Sequence, residues 1–355
     1  MKFIHCSDIH LDSRMERNLT AAQARERNAE ICATFARMAD YAAKNEVAAV
    51  IIAGDLFDTQ HVTLQTAGFV LDTIRATPGV DFLYLRGNHD GSGFEGLNLP
   101  DNLKIFGNQW TCYRYEHVTV TGMDVEREKW ESCYGELDLA EEDVNIVTLH
   151  GQISTQSGEE LIALPRLKRK HIDYLALGHI HSYQTGKLDD RGSWCYCGCL
   201  EGRGFDECGE KGFVLLDVKD RAVRAEFVPF ARRQMLEKEV DITDLTTVTQ
   251  ILQAIEDAAR EIGPEHLVKF TMTGSYTLET QKDLAFLKKM LDGKFYFHKI
   301  KDESRLKIEK ETYEHDISLK GEFIRLVMAS DRTPEEKEQI ICCGIRALSG
   351  EEVAL

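Results

Sequence analysis

No stretch of this chain stays apolar for the roughly 18 residues that a membrane-spanning helix needs. Its first residues, Met1-Lys2-Phe3-Ile4-His5, run into a short strand without the apolar core and small-residue cleavage site of a secretory signal. Internal repeats and low-complexity tracts are missing too. The expectation is a cytoplasmic protein with no membrane contact. Positive charge is also in deficit, with Lys+Arg 43 against Asp+Glu 60 and a net −17. That excludes a surface coated for nonspecific nucleic-acid binding. It leaves room for a local site, because exposed charges are screened beyond about 8 Å at physiological salt and bound metal ions reverse the local sign. Finally, the ten cysteines lack the C-x₂-C pairs typical of structural zinc. Cys195, Cys197 and Cys199, followed by Cys208, have the spacing of one strand face instead, and the thiols read as reduced.

What is present is an ordinary globular composition, 43% hydrophobic and 29% charged, on 355 residues, enough for two domains. The first two-thirds alternate strand and helix. A strand is predicted at 3–6. A helix follows from Thr20-Ala21-Ala22-Gln23, a capping-box spacing, with Ile31, Phe35, Met38 and Ala42 on one face. A doubly buried strand at 47–53, a helix at 63–73 and a strand at 80–85 complete a βαβαβ order, hence a parallel sheet with right-handed crossovers. Short strands dominate 103–120, and 126–143 reads as an acidic, exposed connection. Strands at 144–149 and 172–177 are again buried, while 194–200, 212–218 and 222–229 read as strands of a second sheet. The predicted architecture is α/β: a four-layer α/β/β/α sandwich over 1–232. A small α+β domain follows over 233–312, with strands at 236–242, 267–272 and 295–301 and helices after Val248 and over 280–291. The segment 313–355 holds two helices. One carries Leu319, Phe323, Leu326 and Val327. The other starts at Thr333-Pro334-Glu335-Glu336, carries Ile341, Ile345 and Leu348, and stops near Gly350. These stripes either pack on the domain before them or face a partner.

Five segments place metal-type ligands directly after apolar strands: Asp8-Ile9-His10, Gly54-Asp55, Gly87-Asn88-His89-Asp90, His150-Gly151 and Gly178-His179-Ile180-His181. Any one of them is weak. Together they put five of the 12 histidines just past strand ends, and parallel strands deliver those ends to one rim. The spacing of two in Asp8/His10 and in His179/His181 points both members of each pair the same way if the backbone is extended. The set supplies two carboxylates, one amide oxygen and several imidazoles, which suits two divalent cations tolerant of mixed N/O ligands.

The wording Ser7-Asp8-Ile9-His10-Leu11-Asp12, Gly54-Asp55-Leu56-Phe57-Asp58, Arg86-Gly87-Asn88-His89-Asp90 and Gly178-His179-Ile180-His181 resembles the calcineurin-like metallophosphoesterases, and within them the bacterial SbcD-type DNA repair nucleases. The resemblance implies one metal held by Asp8, His10, Asp55 and His181. It implies a second held by Asp55, Asn88, His150 and His179, with Asp55 bridging and manganese as the metal. His89 would contact the scissile phosphate and assist the leaving oxygen, with Asp90 orienting it. DNA and an SbcC-type coiled-coil ATPase docking on the C-terminal helices would be the partners, and relatives commonly form homodimers. Asp58 departs from the histidine common in archaeal and eukaryotic relatives, and a hydrogen bond behind the ligands or a helix cap at Asp58-Thr59 is expected of it. Tyr196-Cys197-Gly198-Cys199 replaces a family turn usually written with proline and serine. The only dense basic run, Arg166-Leu167-Lys168-Arg169-Lys170, reads as a solvated face before it reads as a DNA contact, and the same holds for Arg14, Arg17 and Arg203 as phosphate contacts near the motif loops. A manganese-dependent DNA nuclease is the leading reading; a small-molecule phosphodiesterase or phosphatase is the alternative. The Ser/Thr phosphatase branch is disfavoured, because Leu56-Phe57-Asp58-Thr59 lacks its arginine.

Overall fold

The computed structural model describes residues 1–15, 19–58, 62–91, 93–125, 132–155, 161–308 and 313–348. They divide into two compact units, Met1–Gln234 and Met235–Leu355.

The first unit is built on β1 (Lys2–Cys6), α1 (Ala21–Lys44), β2 (Val47–Ala53), α2 (Leu64–Arg75), β3 (Asp81–Leu85) and β4 (Leu103–Ile105). Thr20 and Gln23 form the predicted capping box, and Ile31, Phe35, Met38 and Ala42 are buried. Strands β1 to β4 are parallel neighbours. The second sheet takes β5 (Thr111–Tyr115), β6 (Val118–Gly122), β7 (Val144–His150), β10 (Tyr174–Gly178), β11 (Gln184–Lys187) and β12 (Ser193–Tyr196). Between its members run a short two-stranded ribbon, β8 (Gln152–Ser154) and β9 (Leu161–Ala163). The two strands that close the unit, β13 (Gly212–Lys219) and β14 (Ala222–Pro229), correct the expectation. Both belong to the first sheet, in the order β14-β13-β1-β2-β3-β4, with β13 antiparallel to β1. Alternating side chains mark a strand wherever it pairs; which free edge it reaches is a long-range choice that local pattern does not carry.

The sheets face each other across one core. Phe3, Ala49, Ile51 and Leu83 from the first meet Val120, Ile146, Tyr174 and Ala176 from the second. Cys195 and Cys197 lie in this core too, as small apolar groups. Helices α1 and α2 cover the outer face of the first sheet. The outer layer over the second sheet is thinner, with one-turn helices at Cys133–Glu136 and Leu164–Leu167 among the described residues. Part of the segment expected to be an exposed connection is therefore covered: Tyr134 and Leu137 are buried against Leu149 and Leu175. The remainder, 126–131, lies outside the described residues.

The second unit carries a three-stranded parallel sheet, β15 (Met235–Asp241), β16 (Leu267–Thr273) and β18 (Phe297–Asp302), with β17 (Ser275–Tyr276) paired to β19 (Arg305–Leu306). Helices Val248–Ala258 and Leu284–Leu291 bury Ile251, Ile255, Leu287 and Leu291 against it. The second helix starts later than expected because Asp283 caps it, accepting from Phe286 N at 2.9 Å, while Thr277 and Thr280 close a turn before it. Of the apolar stripe on Leu319–Ala329, Val327 packs with Tyr313 and Ile341, whereas Leu319 and Leu326 are 69% and 67% exposed. Helix Pro334–Leu348 opens with the expected box between Thr333 and Glu336, and the stop near Gly350 lies outside the described residues. No described helix is long and apolar enough to cross a membrane.

Phe35 is fully buried, 6.4 Å from the Phe82 ring. Phe35→Ala should lower the unfolding free energy of the first unit by about 3–5 kcal/mol. A urea melt followed by circular dichroism checks this, and a loss below about 1 kcal/mol would contradict the packing.

Candidate metal centre

Strands β1, β2 and β3 of one sheet and β7 and β10 of the other end at a common rim, and each carries ligand-type residues just past or at its last position. The loops there are not extended. Asp8, His10 and Asp55 have φ of 51°, 51° and 52°, and His179 has 103°. Spacing of two thus does not act through an extended chain. Left-handed residues bring these side chains inward, a costly geometry for non-glycine residues that surrounding contacts must enforce. The enforcement is visible. Asp8 N donates to Gly54 O at 3.0 Å, His10 N to Asp55 O at 3.0 Å and Leu11 N to Leu56 O at 2.9 Å, so the first two loops run side by side. Two glycines permit the approach: a Cβ on Gly54 would meet His150 at 2.1 Å, and one on Gly87 would meet Asp55 Oδ1 at 2.2 Å.

The side chains converge in two overlapping groups. In one, His10 Nε2 lies 3.2 Å from His181 Nε2, which is 3.7 Å from Asp8 Oδ1. In the other, His150 Nε2 and His179 Nδ1 lie 2.9 and 3.3 Å from Asn88 Oδ1. Asp55 Oδ2 joins them, 3.8 Å from His10 Nε2 and 3.4 Å from His150 Nε2, while Asp55 Oδ1 accepts from His89 N at 2.9 Å. Asp8, accepting from His179 N, ties the first loop to the fifth.

The outer nitrogens decide what the inner ones can do. His150 Nδ1 faces the Ala53 carbonyl at 2.9 Å, His181 Nδ1 the Glu207 carboxylate at 2.7 Å and His10 Nδ1 the Asp58 carboxylate at 2.9 Å. These oxygens only accept, so they favour the tautomer with the proton on Nδ1, and each Nε2 turns a lone pair inward once it carries no proton of its own. With both Nε2 atoms unprotonated, His10 and His181 offer two lone pairs 3.2 Å apart to one cation. The donor set of carboxylate, amide oxygen and imidazole suits divalent manganese, iron or zinc.

The charge states differ: burial opposes charge on His181, but its hydrogen bond to Glu207 outweighs burial and raises its pKa. Burial lowers the pKa of His10 and of His179, keeping both imidazoles neutral. Burial also opposes charge on His150, but the Asp55 carboxylate outweighs it and raises this imidazole to about 9. Asp55 is correspondingly held below the usual carboxylate range: burial works against it, and His150 prevails.

Other expected positions fall differently. His89 sits at the mouth, its side chain 48% exposed and Nδ1 3.9 Å from Asp58 Oδ1. Asp90 turns its carboxylate to backbone, accepting from Phe57 N at 2.8 Å, Gly87 N at 2.9 Å and Leu56 N at 3.3 Å. It therefore clamps the second and third loops. Asp58 lies behind the ligands, not on a helix cap: α2 is capped by Thr63, and Thr59 lies outside the described residues. Arg203, named above as a phosphate contact, is instead 2.9 Å from Asp58 and 2.8 Å from Glu207. Arg14 is exposed and Arg17 lies outside the described residues. The basic run 166–170 precedes the start of β10, at the end of that strand opposite the rim. Glu207 escaped sequence reading. A glutamate beside Asp206, 26 residues after His181, carries no local signal of the hydrogen bond it makes.

The sequence profile described as Calcineurin-like phosphoesterase matches residues 1–183. The chain belongs to this family. Among curated relatives, the uncharacterized metallophosphoesterase YhaO of Bacillus subtilis is 25% identical over 303 residues, covering 78% of this chain and 72% of that protein. The DNA double-strand break repair protein Mre11 of Saccharolobus solfataricus is 24% identical, covering 99% of this chain and 96% of its own length. Its namesake from Haloferax volcanii is 25% identical over 72% of this chain, which spans 58% of that protein. Among solved structures, a dimetal phosphatase from Danio rerio aligns with 64% of this chain and 99% of its own at 12% identity and a TM-score of 0.40. As a calcineurin-like phosphoesterase the chain is a phosphoester hydrolase.

In the metal-free protein, a proton on His150 Nε2 occupies the place a cation would take. Its raised pKa adds stability that is complete below pH 6.5 and lost as pH rises through about 9. Nuclear magnetic resonance of the metal-free protein should show the His150 ring titrating near 9, and manganese or zinc should abolish that titration. A His150 resonance titrating at 6.5 or below would contradict the Asp55 pairing.

Proposed function

We propose that this chain is a manganese-dependent DNA nuclease, the catalytic subunit of a double-strand-break repair complex. The observation that carries the reading is Asp55 Oδ2 shared between two ligand groups. One cation would be held by Asp8, His10, Asp55 and His181, the other by Asp55, Asn88, His150 and His179. When bound, two divalent cations neutralise phosphoryl charge and lower the pKa of an attacking water. Asp8 and Asp55 leave such a site net positive, which draws a phosphodiester to an otherwise acidic protein.

The chain's own residues do the rest. Asp55 and Asp8 set the spacing and orientation of the groups around the phosphate. His89, at the mouth with Asp58 behind its Nδ1, holds the proton that the leaving oxygen needs. Asp90 fixes the loop from which His89 projects. DNA as the substrate is supported by likeness to the Mre11 protein of Saccharolobus solfataricus over nearly the whole chain. A coiled-coil ATPase of the SbcC type is assigned to the helices after residue 318, where Leu319 and Leu326 offer apolar surface. We further assign a capping domain to residues 233–312 and a cytoplasmic setting to the chain.

The test is end-labelled single- and double-stranded DNA incubated with purified protein and manganese, wild type beside His89→Ala. The wild type should shorten the DNA. His89→Ala should be slower by about 10²–10⁴-fold while binding the same metal. Cleavage of a chromogenic phosphodiester with DNA left intact, with or without the ATPase, would assign a small-molecule phosphodiesterase instead. Activity surviving both Asp55→Ala and His89→Ala would place the chemistry elsewhere.

A further inference from the structure

The two halves of the centre are supported unequally. His181 Nδ1 is hydrogen-bonded to Glu207 at 2.7 Å, and His10 Nδ1 lies 2.9 Å from the Asp58 carboxylate without the alignment of a hydrogen bond. His150 rests on a neutral carbonyl, Ala53 O at 2.9 Å. One guanidinium spans the two carboxylates. Arg203 Nη1 is 2.9 Å from Asp58 Oδ1, and its Nη2 and Nε lie 2.8 and 3.2 Å from Glu207 Oε1. Its backbone N–H donates to the other Glu207 oxygen at 2.7 Å. Only 16% of the Arg203 side chain is exposed, and 5% of Glu207.

The loop carrying Arg203 is itself anchored. Arg27, fully buried on α1, donates to Gly202 O at 2.9 Å and to Glu201 at 3.2 Å, and Thr34 donates to Glu201 at 2.7 Å. A rigid helix thus fixes the chain just before the fork.

We infer that Arg203 is a positioning residue for one cation position only, the one formed by Asp8, His10 and His181, acting through Asp58 and Glu207. The inference rests on the two-cation reading above. The physical reason is geometric and electrostatic. Arg203's planar fork satisfies two carboxylates at fixed angles, a task the compact charge of a lysine does not match. Each carboxylate then holds its imidazole with Nε2 inward. Without the guanidinium, two partly buried like charges lose their common counterion, and one or both swing toward water. His10 and His181 then lose the acceptors that set their tautomer and ring angle. Asn88, His150 and His179 take no part in this network, so their position should keep its affinity. Removing outer partners of ligating histidines typically weakens a metal 10- to 100-fold.

The experiment counts manganese on metal-stripped full-length protein by calorimetry and electron paramagnetic resonance, with no nucleic acid present. Wild type should bind two equivalents and give the signature of an exchange-coupled pair. Arg203→Met should keep one equivalent at wild-type affinity and bind the other 10- to 100-fold more weakly. Its spectrum at one equivalent should be that of an isolated ion, and the melting temperature of the metal-free protein should stay close to wild type. Glu207→Gln should weaken the same equivalent, and the double variant should be no worse than the weaker single one, the non-additivity of residues acting in one chain. If Arg203→Met does not fold, Glu207→Gln and Asp58→Asn carry the test by the same loss of one equivalent. Two wild-type equivalents in the variants, or equal weakening of both, would overturn the role given to Arg203. Fewer than two equivalents on the wild-type protein would overturn the two-cation reading itself, and this inference with it.

Discussion

One oxygen organises the catalytic unit. Asp55 Oδ2 stands between His10 of the first sheet and His150 of the second, 3.8 and 3.4 Å away. Both sheets must therefore present their strand ends to the same carboxylate. The inter-sheet core of Phe3, Ile51, Leu83, Ile146 and Ala176 holds them in that relation. A carboxylate left in that place without cations would be costly, and the protein answers by charging His150 against it.

Backbone geometry follows from the same constraint. Asp8, His10 and Asp55 occupy left-handed conformations that favour glycine, and each is tied down by main-chain hydrogen bonds between the first two loops. Gly54 and Gly87 stand where any side chain would collide with His150 or Asp55. Strain is concentrated where ligands converge and offset by the regular strands beneath, a pattern common at functional sites. Asp90 belongs to this scaffolding: three backbone amides hold its carboxylate where the second and third loops meet.

Behind the imidazoles lies a second tier of polar groups whose task is to place protons. Ala53 O and Glu207 pair with Nδ1 of His150 and His181, and Asp58 lies 2.9 Å from that of His10, so the inner nitrogens are the ones a cation can reach. The tier is continuous with the fold through Arg203, the Gly202 backbone and the buried Arg27 of α1. The candidate metal centre at the rim is thereby linked to the packing of helix α1.

Much of this was legible in the chain itself. The doubly buried run at 47–53 followed by Gly54-Asp55, the capping box at Thr20 and Gln23, and histidines grouped after strands are local signals, and local physics suffices to read them. Pairing is not local. The strands at 212–219 and 222–229 had the right alternation, yet joined the first sheet beside β1. Tyr134 was buried inside an acidic stretch because a neighbouring sheet face needed cover. Asp58, Arg203 and Glu207 became supports for His10 and His181 through contacts spanning up to 145 positions. By itself, then, the sequence determined which residues could ligate and which strands would carry them, because those depend on residue type and short-range period. Only the tertiary structure decided which oxygen is shared, which nitrogen of each imidazole is free and which arginine holds the rest in place. Those depend on distances between segments that meet only when the two sheets close.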